Sequence, residues 1–373
     1  MVLESQLFTF RKDDKEVHIF PKKDIDTFFL KRKIMDLFNQ NLFKIKVYDI
    51  PFCFLPEKID NIIQTNGQHK KACNDCIFKP RCKGISEEYK DVFEARPLGN
   101  SPTEVSIEIN VDTDKEKVFE IIDYMQMFNT PILNLKGNNP ILYDDILEVL
   151  AYAKLKNRHI ILNTEGVFKN VELMQKVVHF TDLIVFYLEG YNEESDKEIT
   201  GKEIFNIKLK NIYLLSNKLK KKIMVKTKMS KTLIENFEIY DELLTKMNIS
   251  QWVITRNNNV TKEDVLKISK QISNHNTFLS GYPVCFFPEH LRSLVKYNDN
   301  FNGVNTLFFN NENFQPSEDI NLDLGTDLKI SWEKNPYKEL GKRDFADSKC
   351  VNCEMFMSCY SGSKVYTKDP FMI

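Results

Sequence analysis

Glu104–Val111 reads EVSIEINV, and after Asp112-Thr113-Asp114 the chain runs directly into Lys115–Phe128, KEKVFEIIDYMQMF. The first segment has the β-branched residues of a strand, and the second has the apolar spacing of an amphipathic helix. The same couple recurs down the chain. Pro131–Leu135 precedes Tyr143–Leu155; His159–Asn163 precedes Val171–His179; Leu183–Leu188 precedes Glu203–Leu219. Lys222–Lys226 then leads to Ile234–Met247, and Gln251–Ile254 to Thr261–Ser273. Six strand–helix units in series predict an α/β fold: a parallel sheet with crossover helices, either open or a partial (β/α)6 barrel. In such folds the working face lies at the C-terminal ends of the strands.

On either side of these units stands one copy of a cysteine pattern. The first is Pro51-Phe52-Cys53-Phe54-Leu55-Pro56, followed by Cys73, Cys76 and Cys82. The second is Pro283-Val284-Cys285-Phe286-Phe287-Pro288, followed by Cys350, Cys353 and Cys359. Each reads P-x-C-(apolar)2-P, a spacer, then C-x2-C-x5-C, and together they use all 8 cysteines. The spacer grows from 19 residues in the first copy to 64 in the second. Cysteines that merely fill a core would not fall twice into one spacing. The opening MVLESQLFTFRKDD lacks the basic start and apolar core of a secretory signal, so disulfides fit poorly. Four thiolates per site suit either tetrahedral zinc or an iron–sulfur cluster. A pair followed by one cysteine five residues on departs from the two paired knuckles common in structural zinc, which favours iron–sulfur.

The remaining composition mostly excludes. Lys plus Arg number 52 against 53 Asp plus Glu, a net charge of −1, which leaves no electrostatic footprint for nucleic acid. The basic run Lys218–Lys222 reads as the solvated end of a helix. No apolar run reaches the ~18–20 residues of a membrane span, so a cytoplasmic location is expected. The six histidines (His18, His69, His159, His179, His275 and His290) show no ligand spacing. Neither phosphate-binding glycine loops nor a nucleophile elbow occur. Glu189 and Asp196 fall near the strand ends and read as solvated loop acids. In the flanks, Lys23–Asn39 reads as a helix, Phe43–Asp49 as a strand delivering Cys53, and Arg96–Pro102 as a linker. Beyond Ser280, NTLFFN and DLGTDLKIS read as strand-like, a short helix is expected near Ser331–Leu340, and Thr367–Ile373 as a tail.

The ordered set resembles a radical SAM enzyme with a C-terminal SPASM-type domain over about residues 104–365. Leu133–Tyr143 (LNLKGNNPILY) is similar to the family's second strand with its Gly-Gly-Glu-Pro loop. Ile160–Gly166 (IILNTEG) resembles the third strand with its Thr-Asn-Gly ending. Val185–Gly201 (VFYLEGYNEESDKEITG) resembles the fourth strand and the Thr-Gly that follows it. Pro283–Cys285 and Cys350–Cys359 resemble auxiliary-cluster ligands. The resemblance implies a radical-SAM-like barrel flanked by two small cysteine-rich iron–sulfur modules: residues 1–97, a barrel at 98–280, and residues 281–373.

The departures carry as much information. In the family, the loop after the first strand holds C-x3-C-x2-C, three thiolates on a 4Fe–4S cluster with one open iron for S-adenosylmethionine. Here Asp112-Thr113-Asp114 occupies that connection. In the glycine-rich loop Gly137 and Pro140 remain, while Asn138 and Asn139 replace Gly and Glu. Ser86 and Ser363 stand where a further module cysteine would follow. The metal ligands expected are therefore Cys53, Cys73, Cys76 and Cys82 in one set, and Cys285, Cys350, Cys353 and Cys359 in the other. Two closed 4Fe–4S clusters, with zinc as the alternative, are the expected cofactors, and S-adenosylmethionine is not expected. No catalytic residue is singled out. The resemblance further implies a peptide substrate and an active radical SAM enzyme as partner. An enzyme using the emptied cavity for other chemistry, or a zinc-stabilised interaction module, are the competing expectations.

Overall fold

A computed structural model of the chain describes residues 2–4, 8–12, 16–22, 44–55, 61–71, 82–93, 101–257, 259–273, 276–295 and 303–341, with Leu30, Ile34, Leu37, Cys73, Cys76, Lys79 and Cys350. It forms two compact units, Met1–Thr103 and Glu104–Ile373.

In the first unit a five-stranded sheet follows chain order: β1 (Val2–Glu4), β2 (Phe8–Lys12), β3 (Glu16–Pro21), β4 (Lys44–Tyr48) and β5 (Ile62–Ile63). The first three strands are antiparallel, whereas β3–β4 and β4–β5 are parallel. A parallel pair needs a crossover. Leu30, Ile34 and Leu37 between these strands are helical, and Leu30 and Ile34, one turn apart, are fully buried. Most of the helix expected at Lys23–Asn39, and residues 96–100 of the expected linker, lie outside the described residues. The strand expected at Phe43–Asp49 is β4, with Ile45 and Val47 buried as its alternation predicts.

The second unit is built on a nine-stranded sheet. Its strands are β6 (Glu104–Glu108), β7 (Ile132–Lys136), β8 (His159–Thr164), β9 (Leu183–Tyr187), β10 (Ile223–Lys228), β11 (Gln251–Thr255), β12 (Thr277–Ser280), β13 (Thr306–Phe309) and β14 (Phe314–Gln315). The spatial order is β12-β11-β10-β9-β8-β7-β6-β13-β14, parallel throughout except for the final β13–β14 pair. Helices α1 (Lys115–Met127), α2 (Ile146–Leu155), α3 (Val171–Phe180), α4 (Glu193–Thr200), α5 (Phe205–Tyr213), α6 (Lys231–Glu235), α7 (Phe237–Lys246) and α8 (Lys262–Gln271) connect successive strands. The alternation seen in the sequence is thus present, and the sheet extends past six strands: β12 continues the series and β13 pairs with β6 at the other side.

Local chemistry explains why these elements start and stop where they do. Asp114 caps α1 by accepting the Glu116 N–H at 3.0 Å, and Asn192 with Ser195 forms a reciprocal cap on α4. After α1, α2 and α7 the chain turns through Asn129, Asn157 and Asn248, all with φ between 52° and 56°. The Thr130 N–H returns to Met125 O at 2.8 Å and Arg158 N–H to Ala153 O at 3.0 Å, closing those helix ends before the next strand. Asn tolerates the left-handed conformation better than other residues with a Cβ.

One expectation fails here. DLGTDLKIS contains a helix, α9 (Leu328–Lys334), not a strand. Asp327 accepts the Ile330 N–H at 2.8 Å, and Leu328 and Trp332, one turn apart, are both buried. A side-chain cap and a paired apolar face outweigh the β-branched content.

Successive strand residues point to opposite faces. Val105, Ile107, Leu133, Leu135, Ile160, Leu162, Ile184, Phe186, Val225 and Ile254 join the helices in one continuous core. Their alternates face away from the helices and form a second, inner face.

Candidate functional site

The inner face has an apolar patch and a polar edge. Val185, Met224 and Val253 are buried together, with Ile161 and Leu183 packed on them. Around them the alternates are Glu104, Ser106, Asn134, Lys136, Asn163, Tyr187 and Lys226. Parallel strands covered on both faces are normally apolar on both, so a charged alternate in LNLK or VKTK marks a face that is not plain apolar core. That signal was present in the sequence and was missed.

These side chains form a directed chain across four adjacent strands. Tyr187 O–H donates to Asn163 Oδ1 at 3.1 Å, and Asn163 Nδ2 donates to Asn134 Oδ1 at 2.5 Å. Asn134 Nδ2 then donates to Glu104 Oε1 at 2.7 Å, which also accepts Ser106 Oγ at 3.0 Å. Glu104, Asn134 and Asn163 are buried, so the chain leaves their polar groups satisfied. Burial pushes the Tyr187 phenol up to about 12.

Lys136, at the end of β7, is buried and its Nζ lies 2.7 Å from Glu318 Oε2. Burial alone would lower this lysine, but the charges of Glu318, Tyr187 and Glu104 hold it above its ordinary value. Lys226 stands directly opposite Tyr187 in the β9–β10 register. Burial, helped by the neighbouring Lys136 charge, brings it down to about 8 against the pull of Glu104 and Glu318.

The loops at the strand ends are tightly built. Residues 109–114 connect β6 to α1 and contain no cysteine. Asn110 N–H donates to Thr113 Oγ1 at 2.8 Å and Tyr143 O–H donates to Thr113 O at 3.0 Å, fixing this connection. Gly137 has φ 125°, and a Cβ there would stand 2.3 Å from Ile109 O, so only glycine fits. Asn139 is spent on the β8 end: its Oδ1 accepts Thr164 Oγ1 at 2.7 Å and its Nδ2 donates to Val167 O at 3.1 Å.

The acids at 189 and 196 are not solvated loop residues. Asp196 is fully buried, accepts the Gly190 N–H at 3.0 Å, and pairs with buried Lys208 at 3.3 Å. Glu189 accepts the Lys228 N–H at 3.1 Å, and burial raises its carboxyl. Asp196 has polar sequence neighbours, so nothing local betrayed its burial; the turn entering α4 folds back over it.

The cysteine segments show matching local structure in the two units. After β4, Asp49 (φ 56°) leads to Pro51 and a 3-10 turn Phe52–Phe54; after β12, Gly281 (φ 87°) leads to Pro283 and a 3-10 turn Val284–Phe286. The Phe54 N–H reaches Pro51 O at 2.9 Å, and Phe286 N–H reaches Pro283 O at 3.1 Å. Ile50 and Leu55 are buried in the first copy, as Tyr282 and Phe287 are in the second. Cys53, Cys73, Cys76, Cys82, Cys285 and Cys350 are all half-buried, while Cys353 and Cys359 lie outside the described residues.

Gln64 bridges two cysteine arms of the first unit. Its Nε2 donates to Ile50 O at 3.0 Å and Gly84 O at 2.9 Å, and its Oε1 accepts the Lys83 N–H at 2.8 Å. The Gly84 N–H points at Cys82 Sγ at 3.3 Å. His69 is occupied with Cys82 O at 2.7 Å. Among the described residues no three of Cys, His, Asp and Glu converge as a metal site. What fits a metal centre is the donor chemistry: half-buried soft sulfur ligands in a repeated spacing, one accepting a backbone N–H.

A parallel sheet with helices on one face, a polar inner face and strand-end loops of this order is a radical SAM-like fold. SuiB of Streptococcus suis matches with TM-score 0.55 at 15% identity, over 73% of this chain and 77% of that one. The same protein bound to its precursor peptide SuiA matches at TM-score 0.53 and 13% identity, over 73% and 76%. A structure of anSMEcpe with bound AdoMet and Kp18Cys peptide matches at TM-score 0.53 and 11% identity, over 70% and 90%. No protein-family model and no curated protein matches the sequence. Among the described residues no helix is long and apolar enough to cross a membrane.

Proposed function

We propose that this chain is a cytoplasmic iron–sulfur protein derived from a radical SAM peptide maturase that has lost the cluster that cleaves S-adenosylmethionine. It acts as a non-catalytic partner in peptide modification, holding the peptide, relaying electrons or scaffolding an active radical SAM enzyme. The observation that carries this reading is the connection at 109–114: it is short, tied down through Thr113, and has no thiolate to hold an iron. The chemistry of the sulfonium belongs to that iron, and side chains do not replace it.

In this reading Cys53, Cys73, Cys76 and Cys82 hold one 4Fe–4S cluster, and Cys285, Cys350, Cys353 and Cys359 hold the other. Four thiolates on each leave no iron open to substrate. Residues 1–97 and 281–373 are then the two cluster modules and 98–280 the disarmed barrel, whose sheet is extended by β13 and β14 of the last module. The matched P-x-C turns after β4 and β12 support one origin for both modules. The peptide-bound structures of SuiB and anSMEcpe support a peptide as the ligand class.

The test is anaerobic purification with iron and sulfide assay, followed by incubation with reductant and S-adenosylmethionine. Two clusters and no 5′-deoxyadenosine are expected. A colourless, zinc-loaded protein removes the redox role, and release of 5′-deoxyadenosine removes the non-catalytic role.

A further inference from the structure

We propose that Lys226 receives a carboxylate of the bound peptide at the C-terminal edge of β9 and β10, so that the peptide recognised there is acidic. This deepens, and rests on, the peptide-holding role given above. Lys136 is engaged by Glu318, Tyr187 by Asn163, Asn163 by Asn134, and Asn134 with Ser106 by Glu104. Lys226 stands among these groups, yet its Nζ has no hydrogen-bond or ion-pair partner among the described residues. An ammonium held among protein atoms without a direct hydrogen-bond partner costs stability, and burial with the Lys136 charge brings its proton release down to about 8 although Glu104 and Glu318 pull the other way.

On β9, β10 and β11 the alternates beside Lys226 and toward the N-terminal ends (Val253, Val185 and Met224) are apolar, and the polar alternates of the neighbouring strands on that side, Asn163, Asn134 and Glu104, are engaged with one another. The open direction is the strand ends. Lys228, exposed and two residues further along β10, adds positive charge there. A carboxylate entering from the strand ends would meet a three-donor cation already positioned by the sheet and only partly hydrated, where a charge-assisted hydrogen bond is strongest.

The test uses the full-length protein and two labelled probes: an N-acetylated, C-amidated pentapeptide of glutamates and its glutamine counterpart, with free glutamate as a third arm. Fluorescence anisotropy measures peptide affinity. Mass spectrometry follows acetylation of Lys226 by an N-hydroxysuccinimide ester at pH 8. The glutamate peptide is expected to bind about tenfold or more tightly than the glutamine peptide and to slow acetylation of Lys226. Lys226→Gln is expected to erase the difference and Lys226→Arg to keep it. If Lys226→Gln fails to fold, protection in the unsubstituted protein decides. Equal affinity for both peptides would overturn carboxylate recognition and leave peptide holding intact. Binding of neither would overturn both, and equal protection by free glutamate would overturn the peptide as ligand.

Discussion

Lys136 Nζ and Glu318 Oε2 lie 2.7 Å apart, joining the end of β7 to a turn 182 residues further along the chain. The lysine side chain is 6% exposed and the glutamate 53% exposed, so the pair sits where buried sheet meets solvent. Lys136 holds Glu318 below the usual carboxylate range despite partial burial, which works in the other direction.

Glu318→Gln is therefore expected to leave a buried ammonium without its counter-charge, at roughly 1–3 kcal/mol. Urea denaturation at pH 7 measures the loss. Because the folded Glu318 is depressed, its contribution is present above the unfolded value of about 4.3 and fades as pH falls through the folded one. The Glu318→Gln protein should lose less stability than the parent on acidification.

Lys226 has the opposite sign. Its folded form releases its proton near 8, held there by burial and Lys136 against Glu104 and Glu318, with Tyr187 opposite and Lys228 along the strand. The unfolded chain binds more protons between about 8 and about 10.4, so this residue makes stability rise with pH in that window. Lys226→Met should raise stability at pH 7 by roughly 1–3 kcal/mol and flatten that rise. Thermal melts at pH 7, 8, 9 and 10 distinguish the two proteins; an unchanged slope counts against a Lys226 whose proton affinity is lowered by folding.

Asn163 is the middle link of the Tyr187-to-Glu104 chain. Asn163→Ala should cost about 2 kcal/mol by orphaning Tyr187 O–H and Asn134 Oδ1. Asn163→Asp should cost at least as much, because a carboxylate would oppose Asn134 Oδ1, an acceptor, where an N–H₂ now donates. Equal stability of Asn163→Asp and the parent would contradict the donor direction assigned here.

The two cysteine sets make a separable prediction. Cys82→Ser is expected to remove about half of the iron and sulfide, and Cys353→Ser the other half. Gln64→Leu, which severs the tie between the Cys53 and Cys82 arms, should speed metal loss to a chelator from the first site only. Loss of all metal from any single variant would contradict independent sites.

How much was legible follows from the range of each interaction. Strand and helix in the second unit were readable because EVSIEINV and VFEIIDYM carry period and propensity locally. The P-x-C turns were readable because they repeat. Asp327, by contrast, looked like part of a strand-like run until its side chain was seen capping Ile330. Asp196 looked solvated because its shelter comes from Lys208, twelve residues on, and from a backbone folded over it.

The sequence by itself determined the alternation of elements, the two fourfold thiol sets, and the absence of a cysteine between β6 and α1, since each is a matter of order along one chain. Only the tertiary structure decided which strand alternates face each other. Glu104, Asn134, Asn163 and Tyr187 become one chain, and Lys136 finds Glu318, because parallel register brings together residues separated by whole strand–helix units. Charge compensation is a property of distance in space, and Lys226, among partners already committed, could be recognised only there.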